Sequence, residues 1–352
     1  MTRNLDGATV LITGGTGSLG QTLVRRLLRG ELGAPRRIIV FSRDEAKQYA
    51  MKTTWKHAHA ATDDIYYHNF EELIEFWIGD VRDFESVMGA IENADAVFHA
   101  AAMKQVPTCE YFPSQAVATN VLGAENVVRA ARRSERTHTV VAVSTDKACK
   151  PINVMGMTKA LQERIIIEGS LPLEAGTRMA AVRYGNVVSS RGSVIPLFRR
   201  QIDSGGPVTI TLREMTRFLL SLDRAVDTIF TAYREALPGE IFVPHCPAAR
   251  VPDIAEAMIG GRQIETVVTG IRPGEKVHEI LVSEDEAHRT SERAGHYVIE
   301  PMLPELQHPD RPRPLDGEFS SADAVVTGQE LADLIAEADF VDSAMGGAAV
   351  RS

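Results

Sequence analysis

The chain has 352 residues, 44% of them hydrophobic and 24% charged, with a formal net charge of -9. That length can bury a substantial core, enough for one large domain with a smaller appended lobe. The acidic balance argues against nucleic acid or an anionic membrane surface as the main partner, so any site for a phosphorylated ligand must be a local basic pocket. Cys109, Cys149 and Cys246 show no CxxC and no regular spacing, which excludes a disulfide framework and suits a reducing compartment. The N-terminus runs almost directly into a glycine-rich motif, with no basic leader before an apolar stretch and no run long enough to span a bilayer. A soluble, cytoplasmic protein is expected, without a membrane partner.

In chain order, ATVLIT, RRIIVFS, IEFWIGD, DAVFHAA, TVVAVST and MAAVRYGNV are short apolar runs separated by helical patterns. This alternation is the signature of βαβ units in a doubly wound parallel sheet, whose ligand chemistry gathers at the strands' C-terminal edge. Between the second and third runs, Tyr49 to Glu72 is long, polar and aromatic, and reads as a helix extension or an excursion. His57, His59 and His68 within it have no carboxylate or cysteine framework, so a solvated helix is expected there and no metal. Residues 1–188, with parts of 213–245, are assigned to a nucleotide-binding domain. Residues 189–352 are assigned mainly to a smaller substrate-binding lobe and C-terminal extension, with a Pro-rich excursion at 300–318 and a last helix at GQELADLIAEADF.

VLITGGTGSLGQTLVRRLL places Gly14, Gly17 and Gly20 between the first strand and an amphipathic helix. Glycines there allow a tight turn, backbone approach to a pyrophosphate and close helix packing, with the helix N-terminus facing the anion. Thr16, Ser18 and Leu19 belong to the same loop, and the pattern makes the fold Rossmann-type. Ser42 ends the second strand where an acidic residue would favour NAD, and Arg43 and Lys47 follow as a pair suited to a 2′-phosphate, so NADP is expected over NAD. Asp80, followed by Val81, ends the third strand where it could meet the adenine amine. Ala100 and Ala101 supply small residues beside the cofactor, and Tyr184 is placed with the cofactor-binding residues.

STDKACKPINVMGMTK, Ser144 to Lys159, has the layout of a dehydrogenase active site, with Met155 where a tyrosine would be expected. A thioether carries no proton, so either catalysis is lost or another group does the tyrosine's work. Lys159, four residues on and on the same helix face, can bind a nicotinamide ribose and lower the pKa of a nearby acid. Thr145, Asp146 and Lys147 end the preceding strand. Asp146 and Lys147 give an acid and a base at adjacent positions, as elimination of water from a sugar requires; the bland alternative is a strand-end ion pair or a helix cap.

These blocks, with HAAAMKQVPTCEYFP, TNVLGAENV, RYGNVVSSRGSVIPLF, MTRFLLSL and RPGEKVHE, resemble the extended short-chain dehydrogenase/reductase superfamily over nearly the whole chain. Within it they resemble the nucleotide-sugar 4,6-dehydratases of the polysaccharide-biosynthesis type. The narrowest resemblance is to soluble UDP-N-acetylglucosamine 4,6-dehydratases that also invert C-5, in which methionine replaces the tyrosine. It implies hydride transfer from C-4 to NADP, removal of the C-5 proton by Lys147, protonation of the departing C-6 hydroxyl by Asp146, and return of hydride to C-6. The C-4 hydroxyl proton is left to Asp146, Lys147, Lys104 or water. A depressed Lys147 pKa is expected from the charges of Lys104, Lys159 and the nicotinamide.

The resemblance further implies that Lys104, Asn186, Arg191, Ser193, Arg217, Arg272 and Glu275 contact the UDP-sugar, and that the protein is a homo-oligomer, a dimer or hexamer. A retaining 4,6-dehydratase, a 5,6-dehydratase, an epimerase on another nucleotide sugar and a non-catalytic dinucleotide sensor stay open.

Overall fold

The computed structural model describes residues 3–61, 70–171, 176–188, 194–307 and 315–346, with the side chains of 57–61, 71 and 338–346 left outside the description. His57, His59 and His68 therefore lie outside the described side chains. The helix Glu45–Ala61 continues well into the 49–72 segment, so that segment begins as a helix extension.

Six strands occupy the six apolar runs: β1 Thr9–Thr13, β2 Arg37–Ser42, β3 Ile74–Ile78, β4 Ala96–His99, β5 Thr139–Thr145 and β6 Arg178–Tyr184. After them come β7 Val208–Ile210, β8 Thr216–Phe218, β9 Ile241–Pro244, β10 Ala248–Arg250 and β11 Thr266–Val268. The last four are β12 Ile280–Val282, β13 Thr290–Arg293, β14 His296–Ile299 and β15 Phe319–Ser320. The main sheet has nine strands in the order β13-β14-β9-β6-β5-β4-β1-β2-β3. From β3 across to β9 every pairing is parallel, and β14 and β13 add an antiparallel edge.

This is a Rossmann-type α/β sheet. Its central strands are apolar runs buried from end to end, as sheets covered by helices on both faces require. The helices start where polar side chains satisfy their free N–H groups: Asp83 caps Phe84–Ile91, Asn153 caps Val154–Gly169 and Ser221 caps Leu222–Glu235. Because β2 leaves β1 on one side and β4 joins it on the other, the strand order reverses at β1. A crevice opens beyond the carboxyl ends of β1 and β4.

A second core, separate from that of the sheet, defines the smaller lobe. Phe198, Ile202, Ile210, Met215, Ile254 and Ile259 meet there, carried by helices Val194–Asp203 and Val251–Ile259 and the short strands between them. The assignment of 189–352 mainly to that lobe needs correcting at 290–299, since β13 and β14 form a hairpin that pairs through β14 with β9 of the main sheet.

Sheet and lobe segments are tied by a buried ion cluster. Arg183 on β6, 1% exposed, donates to Glu163 Oε1 and Oε2 at 2.9 and 2.7 Å and to Glu286 Oε2 and Oε1 at 2.7 and 2.9 Å. Its remaining N–H reaches the Leu281 carbonyl at 2.9 Å. All five guanidinium donors are thereby used. Among the described residues, no helix is long and apolar enough to cross a membrane.

Candidate active site

A cavity of about 760 Å³ opens over the β1 loop. Gly14 has φ +69°, and a Cβ there would stand 2.8 Å from the Ala101 backbone nitrogen. A Cβ on Gly20 would meet Gly15 Cα at 2.5 Å, so this glycine is what lets the helix Ser18–Leu28 approach the turn. That helix begins at Gly17 with no side-chain cap and no acidic residue in its first turn. Its free N–H groups beside the cavity are left for an anion, and the site fits a dinucleotide's pyrophosphate.

Gly14, Thr16, Gly17, Ser18, Ser42 and Arg43 line this cavity, and so do Lys47, Asp80, Val81, Ala100, Ala101 and Lys104. Ser42 is fixed by Thr16 Oγ1 at 3.2 Å, while Gln48 Nε2 donates to its carbonyl at 3.0 Å. Arg43 and Lys47 are each 59% exposed, Arg43 3.8 Å from Asp80 and Lys47 2.8 Å from Asp44. The Asp80 carboxylate is gripped by Arg82 at 2.6 Å. Burial works to raise that carboxyl, and Arg82 outweighs it, holding Asp80 below the usual carboxylate range.

A second cavity of about 260 Å³ shares Gly14, Gly17, Ser18, Ala100 and Lys104 with the first. It adds Leu19, Thr145, Lys147, Met155, Tyr184 and Asn186. Met155 is 4% exposed and packs with Cys109 and Ala116. Asp146, fully buried, lines none of the three cavities described here, because the short 3-10 turn Asp146–Ala148 points it under the floor. Thr145 Oγ1 and Lys147 Nζ both donate to its Oδ1, at 2.7 and 3.1 Å. Its Oδ2 has no hydrogen-bond partner among the described residues. The acid expected in the cleft thus reaches it through the Thr145 hydroxyl and the Lys147 amine.

Two further expectations change. Lys159 is buried and turned back on β5, donating to the Val143 carbonyl at 2.5 Å and Gln162 Oε1 at 2.7 Å, so it does not line the cleft as a ribose ligand would. Burial lowers its amine to about 8, with Glu163 opposing. Burial, helped by the Lys159 charge, likewise takes His99 to about 3, leaving a neutral imidazole whose Nδ1 is 2.7 Å from Thr13 Oγ1. Lys147 is the opposite of the depressed base expected. Burial pulls its amine down, but Asp146 and Glu279 outweigh both burial and Arg217 and hold it above the usual lysine range.

A third cavity of about 310 Å³ joins the second at Lys147 and Asn186 and runs toward the lobe. Asn186 Oδ1 accepts from Lys147 Nζ at 3.0 Å. Arg217, Arg272 and Glu275 line this cavity. Arg217 is 8% exposed, and its Nη1 donates to the carbonyls of Thr216, Lys276 and Val277 at 2.8, 3.1 and 3.2 Å. Arg191 and Ser193 lie outside the described residues. Sequence reasoning missed Asn153, which caps the Met155 helix and donates Nδ2 to the Gly274 carbonyl at 2.9 Å, and Glu279. Asn153 had a readable signal as an Asn immediately before a helix. Among the described residues, no group of three or more His, Cys, Asp or Glu side chains could hold a metal ion.

Residues 10–301 match the family described as "Polysaccharide biosynthesis protein". A Rickettsia typhi protein named UDP-glucose 4-epimerase is 43% identical over 295 residues, covering 83% of this chain and 82% of that one. The solved structure of Pen from Bacillus thuringiensis superposes with a TM-score of 0.84 at 34% identity, covering 95% of this chain and 99% of Pen. DesIV from Streptomyces venezuelae, a dTDP-glucose 4,6-dehydratase solved with NAD and TYD bound, shares the fold at TM-score 0.63 and 20% identity, over 76% of this chain and 86% of its own. With the family match running from the first strand through the last strand of the sheet, the chain belongs to the extended short-chain dehydrogenase/reductase family, in its polysaccharide-biosynthesis branch.

Proposed function

We propose that the protein is a nucleotide-sugar 4,6-dehydratase that acts on UDP-N-acetylglucosamine, inverts C-5 and uses NADP. The observation that carries this reading is the Thr145–Asp146–Lys147 group. Two side chains that line the cleft share one buried carboxylate oxygen where the second and third cavities meet. The UDP-N-acetyl sugar, the inversion and a homo-oligomeric assembly rest on the sequence resemblance.

Gly14 to Leu19, Ser42, Arg43, Lys47 and Asp80 would hold the dinucleotide, which when bound supplies a hydride acceptor that later returns the hydride. A neutral amine facing the sugar requires a proton to cross the 3.1 Å from Lys147 Nζ to Asp146 Oδ1, against the direction in which Asp146 and Glu279 hold that amine at rest, and it leaves an acid behind Thr145. Neutral Lys147 then takes the C-5 proton. Asp146 gives its proton to Thr145 Oγ1 as the Thr145 hydroxyl protonates the C-6 oxygen, and water leaves. This relay asks nothing of Met155, which lines the same cavity. With Lys147 assigned to C-5, the C-4 hydroxyl proton would go to Lys104, which lines that cavity too, or to water.

A 4-epimerase is the second reading, favoured by the name of the Rickettsia typhi relative. Against it, exchange at C-4 alone has no use for an acid–base pair serving C-5 and C-6. The test is incubation of the purified protein, without added cofactor, with UDP-N-acetylglucosamine and separately UDP-glucose in heavy water, followed by mass spectrometry and proton NMR. Loss of water with one deuterium at C-5 supports the dehydratase, and the C-5 coupling constants report inversion. A C-4 epimer that keeps its water and gains no deuterium overturns it in favour of the epimerase. Both sugars unchanged beside a bound nucleotide overturns both.

A further inference from the structure

Glu279 immediately precedes β12 and is 3% exposed. Its main chain is pinned on both sides by Ser321: the Glu279 N–H donates to Ser321 Oγ at 2.9 Å, and the Ser321 N–H donates to the Glu279 carbonyl at 2.7 Å. From that fixed base the side chain enters the third cavity. Oε1 lies 3.5 Å from Lys147 Nζ and 3.8 Å from Arg217 Nε, while Oε2 has no hydrogen-bond partner among the described residues. A buried carboxylate oxygen left unpaired costs stability.

We propose that Glu279 is a positioning residue for Lys147, holding the amine from the lobe side while Asp146 holds it from the sheet side. The inference rests on the reading above that Lys147 is the proton-transfer group. The charged or titratable groups facing the amine are Asp146 from its own turn, Glu279 from the β12 segment and Arg217 from β8, with Asn186 as a neutral partner. Lys104 lines the same second cavity. Since Glu279 is shared with Arg217, the segment 272–279 that borders the substrate side is also the segment that seats Lys147.

The experiment uses the purified protein and needs no substrate. Lysines are competitively acetylated with acetic anhydride across a pH series, and the Lys147 peptide is quantified by mass spectrometry in wild type, Glu279→Gln and Glu279→Asp. Loss of the carboxylate should lower the Lys147 labelling midpoint and raise its labelling severalfold at about pH 9, while Glu279→Asp should fall between Gln and wild type. If the substrate reading also holds, the basic limb of the kcat profile moves in the same direction, with KM for the nucleotide sugar little changed. An unmoved Lys147 midpoint in folded Glu279→Gln overturns the proposal, as does an unmoved midpoint in Glu279→Asp should the Gln variant fail to fold. Moved labelling without any dehydratase turnover keeps Glu279 beside Lys147 and overturns the substrate reading instead.

Discussion

Replacing Arg183 by methionine removes the cation at the centre of the buried cluster while keeping most of its volume. Glu163 and Glu286, 2% and 7% exposed, would be left as buried charges without it. Breaking one side of a buried pair costs about 3–5 kcal/mol. The pH linkage gives a similar figure. Burial pushes the Glu286 carboxyl up, and Arg183 more than reverses this, taking it from 4.5 to about 2. At about 1.4 kcal/mol per pH unit, that difference is on the order of 3 kcal/mol. Because the folded value lies below the unfolded one, this stability is fully present above pH 4.5 and is lost as pH falls toward 2. Thermal and urea unfolding should show Arg183→Met destabilised by about 3–5 kcal/mol at neutral pH, or about 6–10 °C in Tm at about 2 °C per kcal/mol for a long chain. The gap to wild type should narrow across the acid window. A loss under about 1 kcal/mol at pH 7, or a gap that does not change with pH, refutes the reasoning.

The cofactor loop offers a second test. A Cβ on Gly20 would meet Gly15 Cα at 2.5 Å and the Gly14 carbonyl at 2.6 Å, both backbone atoms that cannot yield. Gly20→Ala should therefore lose tightly bound nucleotide, measured by absorbance after denaturation and filtration. Arg43→Ala with Lys47→Ala should weaken NADP relative to NAD by about tenfold or more, as expected for lost charge-assisted bonds at exposed positions; equal effects on both dinucleotides in calorimetry would remove the 2′-phosphate assignment. Thr145→Val keeps the shape and deletes the hydroxyl between the cleft and Asp146. It should lower kcat by about 10²–10⁴ with KM nearly constant, and full activity would exclude the relay.

The central sheet was legible because its strands are continuous apolar runs, and TVVAVST coincides with β5 at both ends. The hairpin of β13 and β14 was not, since four-residue strands buried at only one end give no local sign of which sheet edge they will join. In the site, the turn Thr145 to Lys147 was found, but not the way its side chains divide. The 3-10 geometry turns Asp146 inward between two neighbours that line the cleft. Lys159 shares a helix with Met155 as its spacing implies, yet its long side chain folds back to the Val143 carbonyl of β5, which also accepts from Gln162. Glu279 carries no local pattern at all: it becomes a neighbour of Lys147 only once a distant segment docks.

The residues around the first cavity all come from Gly14 to Thr119, whereas most of those around the third come from Val194 to Glu279. The first and third cavities are therefore built from largely separate stretches of the chain, and the second shares Lys147 and Asn186 with the third. The division is not clean, because Arg183 in the earlier stretch is held by Glu286 in the later one and Lys147 by Glu279, so a change in the later stretch reaches the earlier. The cavity on the lobe side therefore cannot be rebuilt without also resetting the contacts that seat Lys147 and Arg183.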